Sequence, residues 1–279
     1  MTRRLLFTLL VGCIAAGSAL AQTSAPRFSW KTDQVLTYRV EQLTSAAEVV
    51  GENTTETKTK LSLTKRWQVK EVDKAGVAML QLSLSALRYE ITRPGGGVLL
   101  YDSANPEKSD PDMAKKMSGY IDRPVAVLRI DPQGKVVEVK ESKFGPTSRF
   151  ESELPFVLTL PDAVFKEAQT WERSFAITLA PPQGAGERYK ASQKYRCKSV
   201  SAETATIAVT TAIQDLPDDP LDQVPLLQLQ PEGEVVFDLK KGCMRSARLT
   251  IEKALKDHQG DGSIYRFRSV YTEEYLADK

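Results

Sequence analysis

The sequence predicts an all-β or β-dominated α+β protein: two similar halves of curved antiparallel sheet, an open half-barrel or a sandwich, with one or two short helices. Three observations carry this expectation. Long stretches alternate apolar and polar residues with the period of two that a half-buried strand requires. Strings rich in Gly, Pro and Asp punctuate them where hairpins would turn. The pattern of the first half also recurs in the second, as in a duplicated architecture.

Residues 59–72 form the clearest strand, with Leu61, Leu63, Trp67 and Val69 on one face and Lys60, Thr64, Arg66 and Lys70 mostly on the other. The turn Asp73-Lys74-Ala75-Gly76 follows, and Ala78, Leu80, Leu82 and Leu84 alternate before the phase slips to Leu87, Tyr89 and Ile91. That slip predicts a bulge near Ala86. Residues 94–97, Pro-Gly-Gly-Gly, break the strand, and 98–101 begin a short one. A helix is expected within 109–120, where Ser109 or Asp110 can cap, Pro111 sits early and no β-branched residue precedes Ile121. Residues 125–130 and 136–139 read as a hairpin around Asp131-Pro132-Gln133-Gly134, in which Pro presets φ and Gly accepts a positive φ.

The second half runs through similar units. Segment 194–200 repeats the pattern of 66–72, and each is followed by a polar turn and another alternating strand, 205–213 in one case and 77–84 in the other. Phe165, Phe175 and Ile177 keep the spacing of Phe28, Tyr38 and Val40, and Lys240-Lys241-Gly242 answers the hairpin at Gly134. The junction falls within 145–161, so the organisation is a first half at 22–160 and a second at 161–279, or one continuous domain. Between strands, 215–232 makes a long loop carrying Pro217, Pro220, Pro225 and Pro231, whose Val224, Leu226 and Leu227 should pack down over an open end of the sheet.

Ahead of this body, Arg3 and Arg4, an apolar run over 5–14 and the small-residue site Ala19-Leu20-Ala21 read as a secretory signal peptide at 1–21. Export to the periplasm or beyond by general secretion is the expectation. Leu10-Val11-Gly12-Cys13 has the order of a lipobox, so the alternative is a lipid-anchored envelope protein processed at Cys13. No other apolar run approaches membrane-spanning length. The chain has 38 Lys and Arg against 36 Asp and Glu, and Arg3 and Arg4 account for the excess. A balanced, interspersed remainder argues against nucleic-acid partners. An oxidising compartment permits a disulfide between Cys197 and Cys243; two buried thiols are the other reading, and a CxxC pair is absent.

Motifs of catalysis are missing. His258 is the single histidine, in the turn-like string 257–262, which excludes His-pair zinc sites and points to an exposed loop residue. That string also lacks the order of a calcium loop. Gly95-Gly96-Gly97 does not open a helix with Lys-Ser or Lys-Thr, so it is no phosphate cradle. Asp218-Asp219, Glu151 with Glu153, and Glu273-Glu274 could supply the two acids of a glycoside hydrolase, but each reads as solvated surface. No catalytic, cofactor-binding or metal-binding residue is assigned, and no cofactor is expected. The aromatic residues have two readings: Tyr265, Phe267 and Tyr271 share one face of the last strand, and Trp67 and Tyr195 occupy matching places in the two halves. They form ordinary core, or they line a cavity in a curved sheet.

The signal peptide, the strand Trp67-x-Val69-x-x-Val72-x-x-x-Gly76-x-Ala78-x-Leu80 and the hairpin closing on Gly134 together resemble an uncharacterised family of exported bacterial β-rich proteins, a domain of unknown function. More distantly the chain is similar to periplasmic lipoprotein carriers. The first resemblance implies fold without functional residues; the second implies a concave face that receives acyl chains. The resulting expectation is a cell-envelope binding or structural module without catalysis, whose partner is an envelope protein or an apolar ligand. The alternatives are a carrier of an apolar ligand or acyl chain in a sheet-lined cavity and, behind it, a carboxylate-based hydrolase.

Overall fold

The computed structural model describes residues 24–143, 147–151, 158–181 and 183–277. The leader 1–21 with Cys13 lies outside the described residues, as do Glu153 and the side chain of Glu151.

Period-two alternation produces the strands as expected, and they join into one open antiparallel sheet of twelve. In chain order they are β1 Val35–Val50, β2 Asn53–Val72, β3 Ala78–Thr92, β4 Val98–Asp102, β5 Pro124–Ile130, β6 Val136–Ser142, β7 Thr170–Leu179, β8 Glu187–Val200, β9 Thr204–Ile213, β10 Glu232–Asp238, β11 Cys243–Lys256 and β12 Ile264–Leu276. Across the sheet the order is β6-β5-β3-β2-β1-β12-β11-β10-β9-β8-β7, with β4 on β3 beyond the end of β5. Both halves are meanders, most of whose paired strands are joined by hairpin turns, although β3 reaches β5 through β4 and a helical excursion and β9 reaches β10 through another. They meet where β12 pairs with β1, from Thr37 opposite Leu276 to Val49 opposite Ile264. The bulge expected near Ala86 is present: Thr64 faces Ala86 and Lys65 faces Leu84, which leaves Ser85 as the extra residue.

This order places β6 and β7 at opposite edges although they are consecutive in the chain, so the connection between them must cross the open side of the curved sheet. The crossing supplies core. Phe150, Leu158, Leu160 and Phe165 are buried among Trp67, Val69, Leu80, Leu128, Tyr195 and Ile207 from both meanders, and the 3-10 turn Thr147–Glu151 touches β6 and β7. The segment before β1 fills the same space. The Phe28 and Ser29 amides donate to the carbonyls of Pro132 (2.7 Å) and Gly242 (2.9 Å), and the Phe28 ring stacks on Trp30 at 5.2 Å. Both hairpin glycines face this segment. A Cβ on Gly134 would stand 2.4 Å from the Phe28 ring, and one on Gly242 would stand 2.5 Å from Ser29 Cβ. Matching turns in the two meanders thus hold one strap.

Two short helices complete the architecture. The first, α1 at Pro111–Met117, begins as expected: the Asp110 side chain caps it by accepting from the Asp112 and Met113 amides, with Pro at the start. It packs on β4, with Met113 buried against Leu87 and Tyr101. The second, α2 at Pro220–Leu227, corrects the loop expected at 215–232. Asp219 caps it, its Leu226 is buried with Ile177, Leu179, Ala191 and Ile213, and it tolerates Pro225 because a helix of 8 residues, about two turns, has few hydrogen bonds to lose.

The β4–α1 unit depends on Asp102. Burial by itself would raise this carboxyl, but the Ala104 amide, the Asn105 side chain and the Arg88 guanidinium (2.8 Å) outweigh it and hold the group below the usual carboxylate range. A depressed folded-state pKa adds stability above the ordinary carboxylate pKa and loses it as pH falls through the folded value. Acidification below about pH 4 should therefore speed amide exchange in 98–117 before the central strands. Asp102→Asn should abolish that pH dependence, and exchange indifferent to both changes would refute the assignment.

The disulfide allowed by the sequence does not form: Cys197 and Cys243 are both buried free thiols. Register explains why. Cys197 on β8 lies level with Ile207, Val235 and Ala247, so three strand spacings, about 14 Å, separate it from β11. Cys243 is displaced further along that strand, beyond the roughly 7 Å Cα reach of a disulfide. Burial, with Asp238 adding to it, pushes the Cys243 thiol up to about 11, which keeps it neutral and poorly nucleophilic.

Candidate functional site

On the concave face the side chains change character along each central strand. At one end Leu36, Tyr38, Trp67 and Val69 meet the crossing segment and the N-terminal strap in packed core. Further along β2 and β1 come Lys65, Leu63 and Leu61, with Val40 and Gln42 beside them, and there the filling stops. A cavity of about 350 Å³ remains. Leu249 and Ile251 of β11 and Ser269 and Tyr271 of β12 continue its floor, Gln193 of β8 and Thr211 of β9 close one side, and Arg149 with Gln228, Leu229 and Pro231, just past α2, cover it. Gly233 of β10 is paired with the lining residue Leu249. It sits between Val209 and Leu249, both inward-facing, and adds no side chain where every neighbouring strand does.

Three polar groups are embedded among the apolar walls. The Lys65 ammonium donates to the Tyr271 hydroxyl at 3.1 Å and lies 3.5 Å from a Glu273 carboxylate oxygen, and the Tyr271 hydroxyl donates to the same carboxylate. The Lys65 and Glu273 side chains are only 5% and 0% exposed. Charges so far from water persist only when paired and hydrogen-bonded. A second cluster lies on β8 and β9: Gln193 accepts from Arg173 Nε (2.7 Å) and the Tyr195 hydroxyl (3.1 Å) and donates to Thr211 (3.1 Å). Gln42 donates to Ser269 at 3.1 Å on the floor.

Of the five aromatic residues named from sequence, Tyr271 lines the cavity. Trp67 and Tyr195 belong to the packed core, Tyr195 stacked on Trp171 at 5.4 Å, and burial raises its phenol. Tyr265 and Phe267 share Tyr271's face but lie beyond the cavity, half-buried, toward the β11–β12 turn. That turn corrects another expectation. His258 is buried, with its side chain 1% exposed, because the turn folds back over the tip of β1: its Nε2 lies 2.9 Å from Glu48 Oε1, and its ring meets the edge of Tyr265.

Of the carboxylate pairs named from sequence, Glu151 with Glu153 lies outside the described residues, and Glu273 and Glu274 do not converge. Glu273 points inward and Glu274 outward, as strand neighbours must. Asp219 serves as a helix cap. Among the described residues no group of three His, Cys, Asp or Glu side chains gathers to hold a metal ion.

Sequence reasoning missed Lys65, Gln193, Thr211 and Gly233. One signal was present: Lys65 interrupts an otherwise apolar face between Leu63 and Trp67.

Fold and cavity together define an open, twelve-stranded antiparallel half-barrel with a partly covered concave pocket. No family model matches this chain. No curated protein matches it either. Among solved structures it has distant likeness to lipovitellin, described for its lipid–protein interactions, with a TM-score of 0.39 and 9% identity over 88% of this chain and 25% of that one. This chain thus spans about a quarter of the lipovitellin chain. Two others are DynF from the dynemicin biosynthesis pathway of Micromonospora chersina (TM-score 0.23, 10% identity, 99% and 97% covered) and Pseudomonas aeruginosa MucB in complex with MucA (0.13, 8%, 88% and 90%). Likenesses this remote carry no function across. No helix among the described residues is long and apolar enough to cross a membrane.

Proposed function

We propose that this protein is a non-catalytic binding protein of the cell envelope that holds a small apolar or amphipathic molecule in its concave cavity. The observation that carries this reading is the cavity itself, about 350 Å³ walled by Val40, Leu61, Leu63, Leu249 and Ile251 at the centre of the sheet. Pockets of roughly 300–1,000 Å³ with apolar walls and a few placed polar groups are the usual form of small-molecule sites. This one lies at the small end of that range. That suits one chain or ring system. Export rests on the leader read from the sequence, and the non-catalytic reading on the sequence's want of a catalytic motif.

Titration with N-phenyl-1-naphthylamine tests the reading. Saturable fluorescence enhancement with one site per chain is expected, and Leu63→Trp, which places an indole in the cavity, should weaken it at least about tenfold. Enhancement that never saturates, or that ignores Leu63→Trp in a folded variant, would overturn it.

A further inference from the structure

Resting on the cavity-binding reading above, we infer that the ligand carries a carbonyl oxygen, as in a ketone, ester or amide, which Gln193 and Thr211 hold by a paired donation from the cavity wall. The two side chains lie opposite one another on β8 and β9, and both line the cavity. Gln193 is 0% exposed and Thr211 is 5% exposed. Their polarity is set by residues outside the lining. Arg173 Nε can only donate, so the Gln193 atom it meets at 2.7 Å is the amide oxygen. The Tyr195 hydroxyl donates to that same oxygen at 3.1 Å, which uses both of its lone pairs.

The Gln193 nitrogen must then face Thr211, and since an amide nitrogen only donates, the Thr211 oxygen accepts at 3.1 Å. Two hydrogens remain, the second on Gln193 Nε2 and the one on the Thr211 hydroxyl, and neither has an acceptor among the described residues. Buried donors without an acceptor are costly, and a ligand oxygen with two lone pairs is matched to both. The Thr211 amide also bonds the Pro231 carbonyl at 3.0 Å, which holds this stretch of wall against the cover of the cavity. On the floor the bond from Gln42 to Ser269 sets no such polarity, because the Ser269 and Thr44 hydroxyls can exchange roles. The apolar walls Val40, Leu249 and Ile251 are left to the hydrocarbon of the ligand.

Two probes of nearly one shape test this by displacing N-phenyl-1-naphthylamine: 2-acetonaphthone, and 2-isopropenylnaphthalene, in which a methylene group replaces the carbonyl oxygen. The alkene is the more hydrophobic, so the informative quantity is the ketone-to-alkene affinity ratio, compared between proteins. Gln193→Leu combined with Thr211→Val removes both donors with little change in volume, and Arg173 and Tyr195 keep each other as partners. The ratio should fall about tenfold in this variant, as the loss of two neutral hydrogen bonds would give. It should stay within about threefold of wild type in Thr211→Ser, which keeps the hydroxyl. In the wild type, the carbonyl stretch of bound, isotope-labelled 2-acetonaphthone should lie below its frequency in hexane, a readout that needs no variant to fold. An unchanged ratio in the double variant, or a hexane-like stretch, overturns the carbonyl inference while the apolar-ligand reading stands. Displacement of the dye by neither probe overturns that reading and this inference together.

Discussion

Replacing Lys65 alone with methionine should lower the unfolding free energy by about 3–5 kcal/mol, because it removes the ammonium facing a carboxylate that is 0% exposed. Methionine fills much the same volume, so the loss is electrostatic and not one of packing. Lys65→Met together with Glu273→Met should recover most of it, since an apolar pair of similar size is often as stable as a buried ion pair. Urea denaturation of the wild type, both single variants and the double variant closes the cycle. A double variant as unstable as the worse single would show that the two charges do not act as a unit. The pair joins β2 to β12 across the intervening β1, over 200 residues of chain, so its coupling reports directly on the seam between the two meanders.

Gly233→Ala should be comparably severe, at about 3 kcal/mol. Gly233 has a φ of 156°, and a Cβ there would stand 2.1 Å from the Arg248 carbonyl oxygen and 2.9 Å from Leu249 Cα. Both obstacles are backbone of the adjacent β11, held in register with β10, and neither can swing aside as a side chain would. The melting temperature should fall by roughly 6–12 °C, at the 2–4 °C per kcal/mol typical of chains this size. Alanine at Gly51, whose added Cβ meets nothing within 4 Å, should suffer only its positive-φ strain and melt much closer to wild type. Equal melting temperatures for the two variants would refute the close-approach argument.

Different parts of this molecule were legible to different degrees. Strand β2, the bulge beside Ala86, helix α1 with its Asp110 cap and the hairpin closing on Gly134 were readable because each depends on residues near one another in sequence. Helix α2 was hidden because four prolines read as loop, although Pro220 begins a helical turn and Asp219 caps it. His258 was misplaced because turn composition does not reveal what the turn folds against, here Glu48 at the tip of β1. Half of the cavity's chemistry escaped for the same reason. The inward direction of Tyr271 follows from alternation along β12, but nothing local pairs Lys65 with Glu273 or sets Gly233 between Val209 and Leu249.

Alternation and turn chemistry in the sequence determined that this chain makes long antiparallel strands in two meanders, which residues of each strand face the core and where α1 begins. Only the tertiary structure decided that β12 pairs with β1, that the crossing segment fills one end of the concave face and leaves the other open, that Cys197 and Cys243 stay apart, and that a buried ion pair borders the resulting cavity. The physical reason is the range of the forces involved. Side-chain periodicity and turn preferences act over a few residues, whereas strand order, register across the seam and the volume left unfilled are set by packing between segments that the chain brings together only on folding.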